Sequence, residues 1–348
     1  MRIAVVGAGI TGLAVTDELA RRGHDVTCFE AATPMAARSV GDTRIFRLAH
    51  RRPELVAWAM RARRLWDHWS ADAGEHLVGT EGTVVSGDVV AWAGAMAAAG
   101  APHAITDDPP GLPAHEPAGP FLLDPAGGAI RAAAAGRFLL GRVGGRVTAG
   151  TSVTSVAVAG DTARVVTAAG DAAAFDSVVI AAGAGTAALA AGVGVDVVPT
   201  RLEHHARFTF PLRDPAAAPP CWLDDAEAWR PGVTSYQHLA GPGLWAIGAG
   251  LPAPDVLWER GADAVTEHSR EVVTAYVAEY VTGAEPTVVD TVYCDSEGLG
   301  DGLGSARAGP VLVLWGDNLF KMAPVIGQVA ADAATELSLP DELAAVRH

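Results

Sequence analysis

Met1-Arg2-Ile3-Ala4-Val5-Val6-Gly7-Ala8-Gly9-Ile10-Thr11-Gly12-Leu13 opens the chain, and its reading decides the fold. Arg2 to Val6 is a short run with the branched apolar residues Ile3, Val5 and Val6, which predicts a buried strand. Three glycines spaced G-x-G-x-x-G follow, and then Leu13, Val15 and Leu19 recur at helical spacing. Gly23 closes that helix, Asp25 to Phe29 reads as a second strand, and Glu30 stands about twenty residues past the glycines. In such a strand, turn and helix, Gly7 permits the turn and Gly9 lets backbone N–H groups approach a pyrophosphate. Gly12 lets helix and strand pack closely. Ile10 and Thr11 lie at the helix start, and Glu30 is placed to bond a ribose hydroxyl. NAD and FAD share this motif, so it predicts a dinucleotide without naming it; the acidic Glu30 argues only against NADP.

At 348 residues and 50% hydrophobic composition, the chain can bury a large core and is expected to form two domains, or one with a large insertion. Its net charge of −15 repels phosphate backbones and argues against nucleic acid and anionic membranes as partners. The apolar start is interrupted by glycines and by Asp17-Glu18 before any cleavage site, so no signal peptide is read there. Ser177 to Val195 is an uncharged run but consists mainly of Ala and Gly. It reads as a buried strand, a glycine turn and a helix rather than a membrane span, and the cytoplasm is the expected compartment. Cys28, Cys221 and Cys294 are too few for a disulfide framework and too scattered for a metal site, and no metal is expected. Of the 25 basic residues only Lys321 is lysine. Arginine's planar fork does not replace a compact ammonium, so this lone lysine is a candidate for a specific task.

Further along, Gly41 to His50 carries Arg44 and Arg47, which on a helical turn would face one side. A solvated basic edge continued by Arg51 and Arg52 and an anion site are both open readings. Glu54 to Ser70 is an amphipathic helix, Gly128 to Arg142 a helix, and Arg146 to Val158 with Ala163 to Ala168 a strand pair. Asp176 to Gly185 is a buried strand running into a glycine turn at Gly183, a natural second wall for a dinucleotide. Leu202 to Pro211 reads as a strand carrying His204 and His205, Trp245 to Gly250 as another, and Ala262 to Tyr280 as a helix. Thr287 to Cys294 and Val311 to Trp315 close the strand set, and a helix runs from about Ile326 to Leu337.

Four stretches carry a resemblance: Gly7 to Glu30, Gly41-Asp42-Thr43-Arg44-Ile45-Phe46-Arg47, Val292-Tyr293-Cys294, and Phe320-Lys321-Met322-Ala323-Pro324-Val325-Ile326-Gly327. The chain resembles the FAD-dependent amine and amino-acid oxidases of the D-amino-acid oxidase superfamily, and within it the monomeric sarcosine oxidase and N-methyltryptophan oxidase group. The resemblance implies an α/β fold: a Rossmann-like FAD-binding domain from 1–78, 128–198 and 295–348, and a discontinuous antiparallel-sheet, α+β substrate domain from 79–127 and 199–294. It implies FAD held through a thioether on Cys294, chemistry within reach of a thiolate, with Asp42, Thr43, Arg44 and Gly183 at the cofactor. It matches Lys321 and Arg47 to the cations that hold a substrate carboxylate, and Arg44 to an arginine near the flavin.

The implied reaction oxidises the C–N bond of an amino acid or secondary amine bearing a carboxylate, giving an imine, with O2 as acceptor and H2O2 as product. His50, His204 and His205 are candidates for the amine proton. Where the family has a lysine that activates O2, this chain has Ala246; Gly250 and Ser296 replace a pocket histidine and a tyrosine. Asp317-Asn318-Leu319 stands for a Gly-His-Gly. These departures argue against sarcosine itself and keep open a dehydrogenase with another electron acceptor, or an FAD-binding partner subunit without chemistry. The arginine and lysine motifs count against a plain NAD dehydrogenase.

Overall fold

The computed structural model describes residues 1–108, 111–197 and 201–346. It divides into two compact units: Met1–Val40, Ala134–Thr200 and Glu297–His348 form the first, Gly41–Ala133 and Arg201–Ser296 the second. The boundary expected at 198/199 lies outside the described residues. Residues 41–78 belong to the second unit instead of the first, because strand Thr43–Phe46 pairs with Gly128–Arg131 and the Phe46 carbonyl accepts from the Thr83 hydroxyl.

In the first unit, six strands form a sheet in the order Gly304–Ala308, Val311–Trp315, Ser177–Ile180, Arg2–Val6, Asp25–Phe29, Val147–Thr148. All neighbours run parallel except the pair at the Gly304–Ala308 edge. Strands buried on both faces need apolar side chains throughout, as in Val311–Trp315, where every residue is buried. Helix Ile10–Arg21 packs on helix Ala323–Glu336. Gly327 makes this crossing possible, since a Cβ there would lie 2.8 Å from the Ala14 carbonyl oxygen. The strand pair expected near 146–168 is a three-stranded sheet, Val153–Ala159, Thr162–Thr167 and Ala172–Phe175.

The second unit holds an eight-stranded sheet, in the order Asp290–Ser296, Glu203–Pro211, Leu244–Gly250, Thr234–Gly241, Cys221–Asp224, Thr83–Ser86, Phe121–Asp124, Ala104–Thr106. One junction, Cys221–Asp224 with Thr83–Ser86, is parallel and the others are antiparallel. Alternation along Glu203–Pro211 sends Ala206, Phe208 and Phe210 to one face, where they form a core with Trp245, Ile247 and the Val273, Tyr276 and Val277 face of helix Ala262–Glu279. His205, Arg207 and Thr209 take the other face. The predicted helix over Gly128–Arg142 is in fact strand Gly128–Arg131 followed by helix Ala132–Val143. Among the described residues no helix is long and apolar enough to cross a membrane, and no cluster of His, Cys, Asp and Glu suits a metal ion.

Candidate active site

The first unit carries a glycine turn that is a candidate nucleotide cradle. A Cβ on Gly7 would lie 2.4 Å from the Ala181 carbonyl oxygen, and one on Gly12 1.9 Å from the Gly7 carbonyl oxygen. Both positions therefore admit glycine only, and Gly7 has a left-handed φ of 103°. The close approach at Gly7 brings the turn after the first strand against the turn that leads into Gly183, the second wall expected from the sequence. The Ile10 N–H donates to the Ser39 hydroxyl at 3.0 Å, while an α-helix offers its next N–H groups, here of Thr11 and Gly12, no acceptor of its own. The Glu30 carboxylate accepts from the Ala8 N–H at 2.8 Å and the Ala32 N–H at 3.0 Å. It braces the glycine turn and retains acceptor capacity for a ribose hydroxyl. A bare turn, a helix N-terminus and an acidic residue at the end of the second strand fit a dinucleotide diphosphate.

Lys321 is in the same unit, buried at 6% exposure on the short helical turn Leu319–Met322. Its ammonium donates to Asp301 Oδ1 at 3.2 Å and to the Asn318 carbonyl at 3.1 Å.

The second unit holds a cationic cluster on the sheet face opposite helix Ala262–Glu279. His205 pairs across from Cys294, Arg207 from Val292 and Gly248, and Gly248 from Tyr236. Ribbon strand Thr43–Phe46 supplies Thr43 and Arg44 to this face. Arg44 Nη1 and Arg207 Nη1 both donate to the Thr43 carbonyl, at 2.8 and 2.7 Å. Each guanidinium has a nitrogen 3.1 Å from the point where a Cβ on Gly41 would sit, so the two cations are separated there by about 6 Å at most.

The electrostatics follow from that crowding. Burial, then Arg207, lowers Arg44 to about 10, and burial lowers Arg207. Burial, followed by Arg207 and Arg44, pushes His238 well below its usual value, and burial raises Tyr236 to about 12. His238 is thus neutral. Its Nε2 lies 3.4 Å from Arg207 Nη1 and 3.0 Å from Thr43 Oγ1, and its buried Nδ1 has no hydrogen-bond partner among the described residues. Arg207, 7% exposed, has no carboxylate within ion-pair distance among the described residues, and its Nε has no hydrogen-bond partner there. It lines a cavity of about 410 Å³ with Thr43, Asp42, Thr209 and Asp290. Asp290 and Asp42 attract its charge from the cavity wall without forming an ion pair, so the buried cation still favours an anion or electron-rich group brought beside it.

The other candidates separate. Thr43–Phe46 is a strand, so Arg44 and Arg47 do not share the face that a helical turn would give them. Arg47, 8% exposed, lies over the Trp92 ring at 5.0 Å and donates to the Ala49 carbonyl and to His50 Nδ1. That contact makes His50 Nδ1 an acceptor. His204 leaves the set of proton acceptors: it faces away from Cys294, stacks on Trp258, and has one ring nitrogen on the Tyr293 hydroxyl at 2.7 Å and the other on the Trp258 carbonyl at 3.1 Å. His205 shares the Cys294 face and is 3.5 Å from Glu203. Ala246 is fully buried in the middle of the sheet.

Arg207, His238, Tyr236 and Asp301 carry no motif. Arg207 alone had a sequence signal, as a charge between Ala206 and Phe208 in an otherwise apolar-alternating strand.

The family model for DAO, FAD dependent oxidoreductase, matches residues 2–333. The chain belongs to that family. Solved structures similar to this DAO-family chain include NikD, an unusual amino acid oxidase essential for nikkomycin biosynthesis, in its open form: 20% identity, 99% of this chain and 96% of that one, TM-score 0.84. Glycine oxidase from Geobacillus kaustophilus is 18% identical over 97% and 98% of the two chains, with TM-score 0.76. L-proline dehydrogenase from P. horikoshii is 17% identical over 98% and 95%, with TM-score 0.78. At these identities the likeness is one of fold. A 38-residue stretch is 53% identical to 4,4'-diapophytoene desaturase (4,4'-diaponeurosporene-forming) of Staphylococcus aureus (strain bovine RF122 / ET3-1), covering 11% of this chain and only 8% of that enzyme's length. The α/β fold with a Rossmann-like nucleotide sheet and the FAD-dependent oxidoreductase activity are those of the family.

Proposed function

We propose that this oxidoreductase oxidises the C–N bond of an amino acid or secondary amine that bears a carboxylate, yielding an imine. The observation that carries the reading is the pair of crowded guanidiniums, Arg44 and Arg207, beside Cys294. A positive site of this kind suits an electron-accepting ring that gains negative charge as it is reduced. The chemistry that bound FAD supplies is two-electron acceptance at N5, with O2 as the final acceptor and H2O2 as its product. The glycine cradle at Gly7, Gly9 and Gly12 would hold the diphosphate, and Cys294 a thioether to the ring. Lys321 and Arg47 are assigned to the substrate carboxylate, fixing the α-carbon. His50 accepts from Arg47 and so positions that guanidinium. The activities named for NikD, glycine oxidase and L-proline dehydrogenase support an amino-acid substrate by analogy.

Anaerobic mixing of the holoenzyme with carboxylate-bearing amines and with their primary amides tests this reading through loss of visible flavin absorbance. The acids should bleach it far faster than the amides, and Lys321→Met should cut kcat/KM about 10²-fold, the loss of one charge-assisted bond of about 3 kcal/mol. Equal rates for acid and amide would refute the carboxylate assignment.

Ala246, buried where the resemblance implies an O2-activating lysine, favours a second reading: a dehydrogenase with another electron acceptor. Dye reduction without oxygen uptake would select it.

A further inference from the structure

We propose that Asp301 determines substrate specificity by occupying the Lys321 ammonium in the ligand-free chain, so that a ligand carboxylate binds only by displacing it. The inference rests on the assignment of Lys321 to the substrate carboxylate. Asp301 Oδ1 is 3.2 Å from Lys321 Nζ, with side-chain exposures of 23% and 8%. This contact is built into the fold. The Asp317 carboxylate accepts from the N–H groups of Glu297 and Leu299, each at 3.0 Å, and so pins the start of the glycine-rich loop. Arg38 reaches both Glu297, at 3.3 Å, and Asp317, at 3.8 Å. Asp301 itself forms a parallel bridge with Asp317. Gly298 and Gly300 take left-handed φ values of 64° and 71°, which shape the loop. Asn318, at φ 56°, makes the left-handed turn whose carbonyl also accepts from Lys321, a conformation that Asn tolerates better than most residues.

Asp317-Asn318, the dipeptide that departs from the related pattern, thus assembles the counter-ion of the lone lysine. Two carboxylates on one ammonium repel each other. A simple carboxylate therefore meets a penalty at Lys321, whereas a ligand that also carries a cationic nitrogen offers Asp301 a replacement partner. The favoured substrate class is the zwitterion, a carboxylate with a protonated nitrogen close by; a quaternary nitrogen, which cannot become an imine, gives a non-reacting mimic of it.

Acetate and glycine betaine, which differ in the cationic nitrogen, are the probes. Each is titrated into wild-type, Asp301→Asn, Asp301→Ser and Lys321→Met holoenzyme and followed by perturbation of the flavin absorbance. Both Asp301 variants should bind acetate about tenfold more tightly, a step of ~1.4 kcal/mol, with betaine unchanged or weaker, so the acetate-to-betaine affinity ratio rises. A general loosening of the loop would not move that ratio. Acetate affinity unchanged or weaker in both Asp301 variants, with Lys321→Met still weakening acetate, would overturn the role of Asp301 alone. Acetate affinity unaffected by Lys321→Met would remove the carboxylate assignment, and this inference with it.

Discussion

Replacing Arg207 by methionine removes a buried cation while keeping much of its apolar stem. Two guanidiniums about 6 Å apart repel by about 3 kcal/mol at an effective dielectric constant near 20. Against this stands the lost hydrogen bond from Arg207 to the Thr43 carbonyl, worth about 1–1.5 kcal/mol. That carbonyl is not orphaned, since Arg44 Nη1 still donates to it at 2.8 Å. Attraction of Arg207 to Asp290 and Asp42 offsets part of that gain, so the net expectation is that Arg207→Met stabilises the flavin-free chain by at most about 1.5 kcal/mol, a rise in Tm of up to about 2 °C. Thermal unfolding of variant and wild type, with and without FAD, measures it. The gain should shrink in the FAD-loaded protein, where the positive charge acquires an electron-rich partner. A flavin-free variant less stable than wild type by about 1 kcal/mol or more would refute the reasoning, because it would mean that other groups compensate Arg207 fully.

His238 is neutral in the folded chain, with its titration depressed well below 6.5 by burial and the two arginines. The unfolded chain therefore binds the extra proton first as pH falls, and folding stability is lost below pH 6.5, at up to about 1.4 kcal/mol per pH unit. His238→Gln should flatten that decline between pH 6.5 and 5 in denaturant titrations; an unchanged slope would show that His238 is not its source. Gly12→Ala places a methyl 1.9 Å from the Gly7 carbonyl oxygen and should abolish FAD retention on desalting, whereas retention at the wild-type level would exclude the cradle. Gly327→Ala forces apart the helix crossing at Ala14 and should cost about 1–3 kcal/mol in chemical unfolding.

The nucleotide sheet was legible because its turn residues have sterically unique requirements: at Gly7 and Gly12 backbone oxygens lie where any side chain would begin. Lys321 stood out as a candidate by its rarity, and Arg44 by a motif that was legible in the sequence. Its geometry was not, since a short mixed segment does not reveal whether it is a helical turn or a strand, and Thr43–Phe46 became a strand through pairing with Gly128–Arg131 more than eighty positions away. The same long-range pairing hides Arg207 and His238, which reach one face only when Glu203–Pro211, Leu244–Gly250 and Thr234–Gly241 are in register. His204 and His205 looked equivalent as sequence; alternation sends them to opposite faces and makes His204 structural. Asp301 sits in a loop without periodicity, and its partner Lys321 is visible only once Asp317 has fixed the loop.

The proposal that Cys294 would hold the flavin covalently, with Arg44 and Arg207 nearby, is tested by acid precipitation of the purified holoprotein followed by peptide mass analysis. The yellow colour should stay with the pellet, and the peptide containing Cys294 should carry the mass of FAD less two hydrogens, the electron pair released on thioether formation passing to the ring and then to O2. Colour released wholly to the supernatant, with an unmodified Cys294 peptide, would contradict it.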